Sequence, residues 1–309
     1  MTETIVSVKG LSKCYGSTVA VKDISFDVQR GEIFALLGPN GSGKTSTLES
    51  LEGIRHPDGG RLSIAGVDPV RQPGRLRNII GVQLQTSALP PAMTVEEALL
   101  FFSSYHGVAA RYDLIERLGL AEKKRLQYGK LSVGQQRRLA LAIAIAHNPT
   151  VVFLDEPTAG LDVQSRTDLH TLARELREKG ATVILATHDM AEAEKLADRA
   201  AILVRGEIVA LGSPRQLTAA GDRRTRISVS TELGKLCAEQ VAVPFALLHA
   251  RENGYSTYLS EDPGKSVSAI LSWIEKSGDA LIDLRVERPT LEERFLELTQ
   301  DKSTQGAAL

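Results

Sequence analysis

A glycine-rich loop between an apolar segment and a helical pattern constrains this chain more than any other feature. The loop matches G-x-x-x-x-G-K-[ST] at every specified position, through Gly38, Pro39, Asn40, Gly41, Ser42, Gly43, Lys44 and Thr45. Residues 33–37 before it form an apolar run of strand length, and residues 46–51 after it are compatible with a helix. Glycines let backbone N–H groups turn inward at a helix N-terminus, which favours anions. The pattern predicts a nucleoside triphosphate site, with Lys44 on the β- and γ-phosphates and the Thr45 hydroxyl on Mg²⁺.

The bulk properties exclude several classes of protein. The 309 residues suffice for one large domain and a smaller one. Thirty-seven Lys and Arg against 38 Asp and Glu give no electrostatic footprint for nucleic acid, so no nucleic-acid partner is expected. Cys14 and Cys237 lack the spacing of a metal or redox pair, which favours a reducing compartment, the cytosol. No apolar run reaches the roughly 18–20 residues of a membrane span, so action at a membrane would require another chain.

Hydrophobic periodicity predicts an α/β domain over residues 1–215. Alternating strands are predicted before and after the glycine loop, and a helical pattern from about residue 93 to 147 opens with the capping-box sequence Thr94 to Glu97. Short apolar runs then alternate with helices, which favours a parallel sheet covered on both faces. The predicted strands are 5–9, 24–28, 62–65, 79–84, 151–154, 182–186, 201–204 and 208–210, and the predicted helices are 112–120, 131–146, 163–179 and 191–197.

A second, small α/β domain is expected over residues 226–300, after a linker at 216–225. Strands are predicted at 226–230, 256–260 and 281–286, with a helix at 265–276. A capping box from Thr290 to Glu293 opens a last helix, and residues 301–309 are expected to be disordered.

Carboxylates follow the buried strand predicted at residues 151–154. Asp155 and Glu156 would therefore lie at the carboxyl edge of the sheet, where ligands bind in open α/β folds. Asp155 is placed to organise Mg²⁺, and Glu156 to polarise an attacking water. His188 follows the strand at 182–186, although a lone histidine is as often structural as functional.

The segment Leu-Ser-Val-Gly-Gln at residues 131–135 completes a set that resembles the nucleotide-binding subunit of ATP-binding cassette (ABC) transporters. The match spans residues 5 to about 215 and also includes the loop at 159–162. The resemblance implies an α/β fold with a mixed-sheet core, an antiparallel β subdomain, a helical subdomain at about 86–148 and a small C-terminal α/β appendage. Glycine is usual in this family where the chain has Val133, which disfavours a positive φ angle.

The resemblance also assigns roles around ATP and Mg²⁺. It implies two subunits paired head to tail, so that each ATP meets the glycine loop of one chain and Ser132, Gly134, Gln135 and Asp162 of the other. Within one chain it implies nucleotide binding by residues 38–45, Ser46 and Tyr15, catalysis by Glu156, His188, Gln85 and Lys44, and metal binding by Thr45, Gln85 and Asp155.

The end of the chain narrows the resemblance. Residues 290–298, Thr-Leu-Glu-Glu-Arg-Phe-Leu-Glu-Leu, are similar to the last helix of stand-alone ATPase subunits of the bacterial drug-resistance and antibiotic-export (daunorubicin-resistance) type. Such subunits act as two copies on a separate permease at the cytoplasmic face of the membrane. A permease helix would dock near residues 85–98, where Leu89 and Met93 are the test positions.

Three other readings stay open at this level. A cassette ATPase could act on DNA or the ribosome, although the chain has one cassette and no heptad array. It could instead serve an iron–sulfur assembly scaffold or a solute importer. The transported compound is not encoded in any motif, because the resemblance places specificity in the permease.

Overall fold

The computed structural model describes residues 3–85, 88–221, 224–238 and 241–305. The chain divides into two compact units, residues 1–214 and 215–309. Within the described residues no helix is both long and apolar enough to cross a membrane.

The first unit contains every strand and helix that the sequence predicts for it, with ends that differ by a few residues. Its strands are β1 (Thr4–Tyr15), β2 (Thr18–Gln29), β3 (Ile33–Leu37), β4 (Gly59–Ile64), β5 (Ile80–Gln83), β6 (Val151–Asp155), β7 (Thr182–Thr187), β8 (Arg199–Val204) and β9 (Glu207–Gly212). Its helices are α1 (Lys44–Leu51), α2 (Pro73–Leu76), α3 (Val95–Tyr105), α4 (Tyr112–Arg117), α5 (Val133–Ile145), α6 (Val163–Glu178) and α7 (Met190–Leu196).

A six-stranded sheet in the order β5-β6-β7-β3-β8-β9 forms the centre of this unit. All neighbouring pairs are parallel except β8 with β9, which form an antiparallel hairpin. Every residue of β3, β6 and β7 is buried, as expected for strands covered on both faces. The register pairs Leu37 with Thr187 and Asp155 with Ala186. The glycine loop, the acidic pair and His188 therefore leave the sheet at one edge.

Two further layers flank the central sheet. Strands β2-β1-β4 form an antiparallel sheet, whose Phe26 ring stacks on Phe34 of β3 with centroids 5.2 Å apart. On the other side, apolar residues of α3, α4 and α5 share one core cluster with residues of the central sheet such as Leu154 and Leu185. The predicted fold class is confirmed by these layers: a mixed-sheet core, an antiparallel β layer and a helical layer.

The second unit has its own core. Its elements are α8 (Pro214–Ala219, which begins at the unit boundary), β10 (Thr225–Thr231), α9 (Lys235–Ala238), β11 (Ala246–Glu252), β12 (Tyr255–Ser260), α10 (Pro263–Ser277), β13 (Leu281–Glu287) and α11 (Leu291–Gln305). The sheet order is β11-β12-β10-β13, and all neighbours are antiparallel. From β10 to β13 this is the β-α-β-β-α-β arrangement of ferredoxin-like folds. Ile227, Val229, Tyr258, Ile270 and Ile274 join sheet and helices into one apolar cluster.

Three details of this region differ from the prediction. The linker expected at 216–225 contains most of α8, because Pro214 is a suitable first residue of a helix. Strand β11 and helix α9 were missed, since Ala-Leu-Leu-His-Ala-Arg-Glu in β11 lacks β-branched residues and alternation. Helix α11 continues to Gln305, into the tail expected to be disordered from 301, because residues 291–305 contain no glycine or proline. Residues 306–309 lie outside the described residues.

Candidate active site

The glycine loop turns tightly between β3 and α1. Gly43 has φ +105° directly before α1, and a Cβ atom there would lie 2.5 Å from the Ala20 carbonyl oxygen. A Cβ atom on Gly38 would lie 2.3 Å from the Leu203 carbonyl oxygen. Neither position accepts a side chain, so the loop backbone packs directly on its neighbours and its N–H groups stay available at the helix N-terminus.

Lys44 is buried beneath this loop. Its Nζ donates hydrogen bonds to the carbonyl oxygens of Gly38 at 2.7 Å and Pro39 at 3.2 Å, and it lies 3.6 Å from Glu156 Oε1. Burial lowers the pKa of Lys44, and the negative charge of Glu156 opposes that shift. The ammonium group is therefore held beside the place where the loop N–H groups converge.

Asp155 ends β6 and faces α1. The Thr45 hydroxyl donates to its Oδ2 at 3.2 Å, whereas its Oδ1 is buried and accepts no hydrogen bond from the described residues. Burial raises the pKa of Asp155, and the negative charge of Glu156 raises it further. The hydrogen bond from Thr45 lowers this pKa but does not offset the rise. A buried carboxylate oxygen without a partner next to a threonine hydroxyl suits a cation.

Glu156 is the most constrained residue of the site. Its φ is +46°, an uncommon angle for a residue with a side chain. Its N–H donates to the Ala186 carbonyl at 2.9 Å, and its carbonyl accepts a hydrogen bond from the Arg137 guanidinium. The side chain is buried, and its Oε2 lies 2.8 Å from Nδ1 of the exposed His188. The structure thus pairs His188 with the Glu156 carboxylate, a partner that the sequence alone did not show.

Tyr15 lies at the rim, at the end of β1. Its hydroxyl donates to Ser46 Oγ at 3.3 Å, and its half-exposed ring is approached by the Lys13 ammonium at 5.5 Å and the Arg55 guanidinium at 5.8 Å. An open aromatic face next to the loop can stack on a planar base.

The 131–135 segment forms the N-terminus of α5. Ser132 and Gln135 make a reciprocal capping box: the Gln135 N–H donates to Ser132 Oγ at 3.2 Å, and the Ser132 N–H donates to Gln135 Oε1 at 2.9 Å. Val133 is the first helical residue and does not have a positive φ angle, so a valine fits the backbone here without strain. The residue is 61% exposed. An ideal Cβ on Gly134 would touch only Leu161, at 3.4 Å.

Asp162 begins α6 in a similar way. Its carboxylate accepts hydrogen bonds from the Ser165 N–H at 2.8 Å and the Ser165 hydroxyl at 2.9 Å, and these bonds lower the pKa of Asp162. The next residue, Val163, is 84% exposed. Among the described residues, no hydrogen bond or ion pair joins Ser132, Gly134 or Asp162 to Lys44 or Glu156.

Gln85 does not join the metal-site residues in this structure. It lies exposed just after β5, and within the described part of the chain no hydrogen bond links it to Thr45 or Asp155. Thr86 and Ser87, which follow it, are outside the described residues. Its predicted catalytic and metal-binding roles stay predictions.

Arg137 and Glu52 carried no functional assignment from the sequence. Arg137 holds the Glu156 backbone, and the basic pair Arg137-Arg138 one turn after the capping box was its only signal. Ser42, predicted as a nucleotide-binding residue of the glycine loop, has a buried hydroxyl without a partner among the described residues. Glu52, at the other end of α1, is also buried with both carboxylate oxygens unpartnered there. Burial raises its pKa to about 8, and the charges of Asp155 and Glu49 add to that shift.

Comparisons with known proteins agree on one family. A family model described as "ABC transporter" matches residues 21–159. The Nod factor export ATP-binding protein I of Burkholderia orbicola is 42% identical over 219 residues, which cover 69% of this chain and 72% of that protein. The daunorubicin resistance ATP-binding protein DrrA3 of Streptomyces coeruleorubidus is 34% identical over 310 residues, which cover 97% of this chain and 98% of that protein. A solved "Structure of ATP binding subunit of ABC transporter" superposes with a TM-score of 0.66 at 30% identity, covering 70% of this chain and 93% of the other.

Proposed function

The chain belongs to the ABC transporter family as an ATP-binding, ATP-hydrolysing subunit of the export type, and from this premise we propose that it works as a homodimer on a separate membrane permease. The resemblance to drug-resistance and antibiotic-export subunits is confirmed by the relatives that the chain matches. The residue roles, the metal, the partners and the location that follow are parts of the proposal.

We assign the chemistry of hydrolysis to the residues around Lys44. The loop N–H groups and Lys44 bind the β- and γ-phosphates and stabilise charge that develops on the transferred group. Glu156 accepts a proton from the attacking water, and the 2.8 Å contact with His188 holds its carboxylate in place. Arg137 fixes the Glu156 backbone in its strained conformation.

Mg²⁺ fits the oxygens of Thr45 and Asp155. The described residues contain no cluster of three or more acidic, histidine or cysteine side chains able to cage a cation. Mg²⁺ needs no such cage, because with nucleotides it binds one or two protein oxygens, waters and the phosphates. When bound, the ion would neutralise phosphate charge; the Thr45 hydroxyl and the unpartnered Asp155 Oδ1 would hold it.

The exposed valines beside Ser132 and Asp162 are the observation that carries the homodimer. Val133 and Val163 present apolar side chains to solvent at the first turn of α5 and α6, next to the residues that the family uses across its dimer. The N-terminus of α5 adds helix N–H groups whose partial positive charge favours a phosphate. A second copy of the chain would cover both valines and place Ser132, Gly134 and Asp162 against the phosphates bound by its partner.

Subunit mixing tests this arrangement. Lys44→Ala removes the phosphate-binding half of a site, and Gly134→Asp puts a negative charge where the γ-phosphate would meet α5, at a position that has room for a Cβ. Each variant alone should have less than a tenth of the wild-type ATPase rate. A mixture should regain activity, because a mixed dimer contains one site with both halves intact. No recovery in a mixture shown to contain mixed dimers would contradict the in-trans roles.

We place the proposed permease contact away from Leu89 and Met93. Both side chains are partly buried and pack against the core cluster of the helical layer, so glutamate there would damage folding. A cavity of about 410 Å³ lies nearby, between the end of α1 and α3, and is lined by Ile54, Leu76, Phe102 and Tyr105 among others. Its open, largely apolar wall suits a helix of the permease.

Glutamate at Ile54 tests the cavity. Ile54 is half exposed, so Ile54→Glu should leave the ATPase of the isolated protein unchanged and lower permease-dependent transport at least tenfold. Leu211→Glu, at a similarly exposed position on β9, is the matched control and should transport normally. Equal transport by both variants would remove the cavity from the proposal.

We further propose export of drug-like or other hydrophobic compounds, with the subunit at the cytoplasmic face of the membrane. A relative matched along nearly its whole length is named for daunorubicin resistance, and another relative is named for Nod factor export, so the names favour export over the soluble and importer alternatives. Tagged Glu156→Gln protein with Mg-ATP, used as bait in solubilised membranes, should retain a membrane-spanning permease. Recovery of ribosomes, DNA or a soluble scaffold instead would support those alternatives.

A further inference from the structure

Glu52 has a buried carboxyl group that no neighbouring group satisfies. The residue directly follows α1 and is 7% exposed. Neither of its carboxyl oxygens has a hydrogen-bond partner among the described residues. Glu52 also lines the cavity of about 410 Å³ between the end of α1 and α3. Because buried polar groups nearly always have a partner, an unsatisfied carboxyl group beside a cavity indicates a partner from outside the chain.

The other ionisable residues of the cavity leave this carboxyl group unpaired. They are Arg77, Tyr105, His106 and His147. The Arg77 guanidinium donates to the Tyr105 hydroxyl at 2.6 Å, and within the described part of the chain no ion pair joins it to Glu52. The rings of His106 and His147 stack with centroids 3.8 Å apart, and burial lowers the pKa of both, so they stay uncharged at neutral pH. The described wall of the cavity therefore supplies no counterion to Glu52.

The surroundings of Glu52 favour a cation. Burial raises the pKa of Glu52 to about 8, and the negative charges of Asp155 and Glu49 contribute to that rise. Two carboxylates that hold back the ionisation of a third create a negative potential at this place. In addition, folding has already removed the carboxyl group from water, so a cation that reaches it meets no further desolvation cost on the Glu52 side.

The two unpartnered oxygens of Glu52 distinguish between cations. A guanidinium presents two parallel N–H groups that match the two oxygens of one carboxylate, whereas an ammonium group is a point charge. The stem of an arginine is apolar and can lie along a wall that includes Ile54 and Leu76. An arginine side chain therefore fits this end of the cavity better than a lysine side chain does.

We infer that the permease segment that enters this cavity carries an arginine, which forms a bidentate ion pair with Glu52. This contact rests on the permease docking proposed above. Glu52 releases its proton to solvent as the pair forms. A segment without the arginine leaves the carboxyl group unsatisfied, so the pair selects the matching permease and fixes the register of its helix in the cavity.

Affinity for the permease tests the role of Glu52. The probe is the purified, detergent-solubilised permease that the tagged Glu156→Gln chain retains. Glu52→Gln keeps the shape of the side chain but carries no charge, so it should raise the dissociation constant of the complex roughly tenfold or more. The same variant should be more stable than the wild type at pH 8, so misfolding does not account for such a loss.

Glu32→Gln is the matched control. Glu32 is 8% exposed, but it is paired with Arg199 and does not line the cavity. Its complex with the permease should therefore stay within about twofold of the wild type in dissociation constant. An unchanged dissociation constant for Glu52→Gln, or equal losses in the two variants, would overturn the inference.

A double-mutant cycle identifies the arginine. Each arginine in the cytoplasmic segments of the permease is replaced by glutamine, and each permease variant is titrated with wild-type and with Glu52→Gln protein. One replacement should weaken binding to the wild type roughly tenfold or more and have little further effect with Glu52→Gln. Lysine at that position should restore only part of the affinity. Equal effects of every replacement on the two proteins would contradict an arginine contact.

Ile54→Glu separates this contact from the docking on which it rests. If Ile54→Glu binds the permease as the wild type does, or if no permease is retained at all, the cavity is not the docking site and both proposals fail. If Ile54→Glu weakens binding while Glu52→Gln does not, only the arginine contact fails.

Discussion

The phosphate-loop region and the α5 N-terminus differ in how far the chain completes them by itself. Lys44, Asp155 and Glu156 are buried and connected to one another or to neighbouring backbone by short contacts. Ser132 and Gln135 bond chiefly to each other, and the adjacent Val133 faces solvent. One region is prearranged by intrachain contacts, whereas the other presents a helix end with its groups turned outward.

In the proposed homodimer, this difference would explain how one chain binds ATP and still depends on a second copy to hydrolyse it. A prearranged site loses little freedom when it binds nucleotide, so its affinity depends on one subunit. The exposed helix end would contribute only when a partner brings phosphates to it. Changes in the first region should therefore alter chemistry or stability of the single chain, and changes in the second should act through association.

Replacement of Glu156 has the largest expected effect. Glu156→Gln keeps the size and the hydrogen-bonding reach of the side chain but cannot take a proton. ATP turnover should fall by roughly 10²–10⁴-fold, the usual contribution of a general base, while ATP binding changes little. Single-turnover hydrolysis and equilibrium nucleotide binding measure the two quantities. Near-normal turnover would assign the base to another group and weaken the prearranged view of this region.

Glu52 should make the stability of the first region depend on pH. Burial raises its pKa from 4.5 to about 8 in the folded chain, so the folded chain holds this proton more tightly than the unfolded chain does. The contribution of protonated Glu52 to the free energy of unfolding is therefore fully present below the unfolded pKa, and it is lost as pH rises through the folded pKa. Glu52→Gln cannot ionise and should escape this loss. The variant should exceed the wild type by on the order of 4 kcal/mol of unfolding free energy at pH 8 and by little at pH 5.

Urea unfolding followed by circular dichroism at both pH values measures this effect. Glu178→Gln, on the last turn of α6, is the control and should show no growing advantage with pH. A constant difference between Glu52→Gln and the wild type across the pH range would mean that the carboxylate is not buried as the structure places it.

Two capping boxes in the chain allow a matched test of the α5 end. Thr94 with Glu97 caps α3 in the same way that Ser132 with Gln135 caps α5. Thr94→Ala and Ser132→Ala should each cost about 1 kcal/mol of stability, because each removes an N-cap. Only Ser132→Ala should also lower ATP turnover, by about tenfold, and weaken the Mg-ATP-dependent dimer of the Glu156→Gln chain. Equal turnover losses would reduce Ser132 to a capping residue.

The sequence predicted what adjacent residues determine. Strand, glycine loop and helix are contiguous, so the loop and its buried strand could be recognised. The Asp155–Glu156 strand end and the capping boxes at Thr94 and Thr290 could be recognised for the same reason. Contacts between distant segments could not. Arg137 reaches Glu156 from another element, and the positive φ of Glu156 depends on that packing.

The same limit applies to side-chain burial. The permease contact expected at Leu89 and Met93 stays a prediction, but the packing of both side chains against the core cluster of the helical layer depends on how the helices pack, which an apolar, proline-rich segment does not show. Strand β11 has no alternating pattern and exists because β12 supplies its hydrogen bonds. Hydrophobic periodicity therefore identified strands and helices that have one clearly buried face. It missed strands such as β11, which form because a neighbouring strand supplies their hydrogen bonds.

Tyr15 provides the smallest and sharpest test of the prearranged region. If its open ring stacks on the base, Tyr15→Ala should weaken nucleotide binding by about tenfold, consistent with the 1–3 kcal/mol of base–aromatic stacking. Tyr15→Phe keeps the ring and loses only the 3.3 Å hydrogen bond to Ser46, so it should bind within about twofold of the wild type. Isothermal titration with ATP and GTP should give the same loss for both, because stacking does not read the base edges. If Tyr15→Phe lost as much nucleotide affinity as Tyr15→Ala, the affinity would depend on the hydroxyl group and its hydrogen bond to Ser46, not on stacking of the ring.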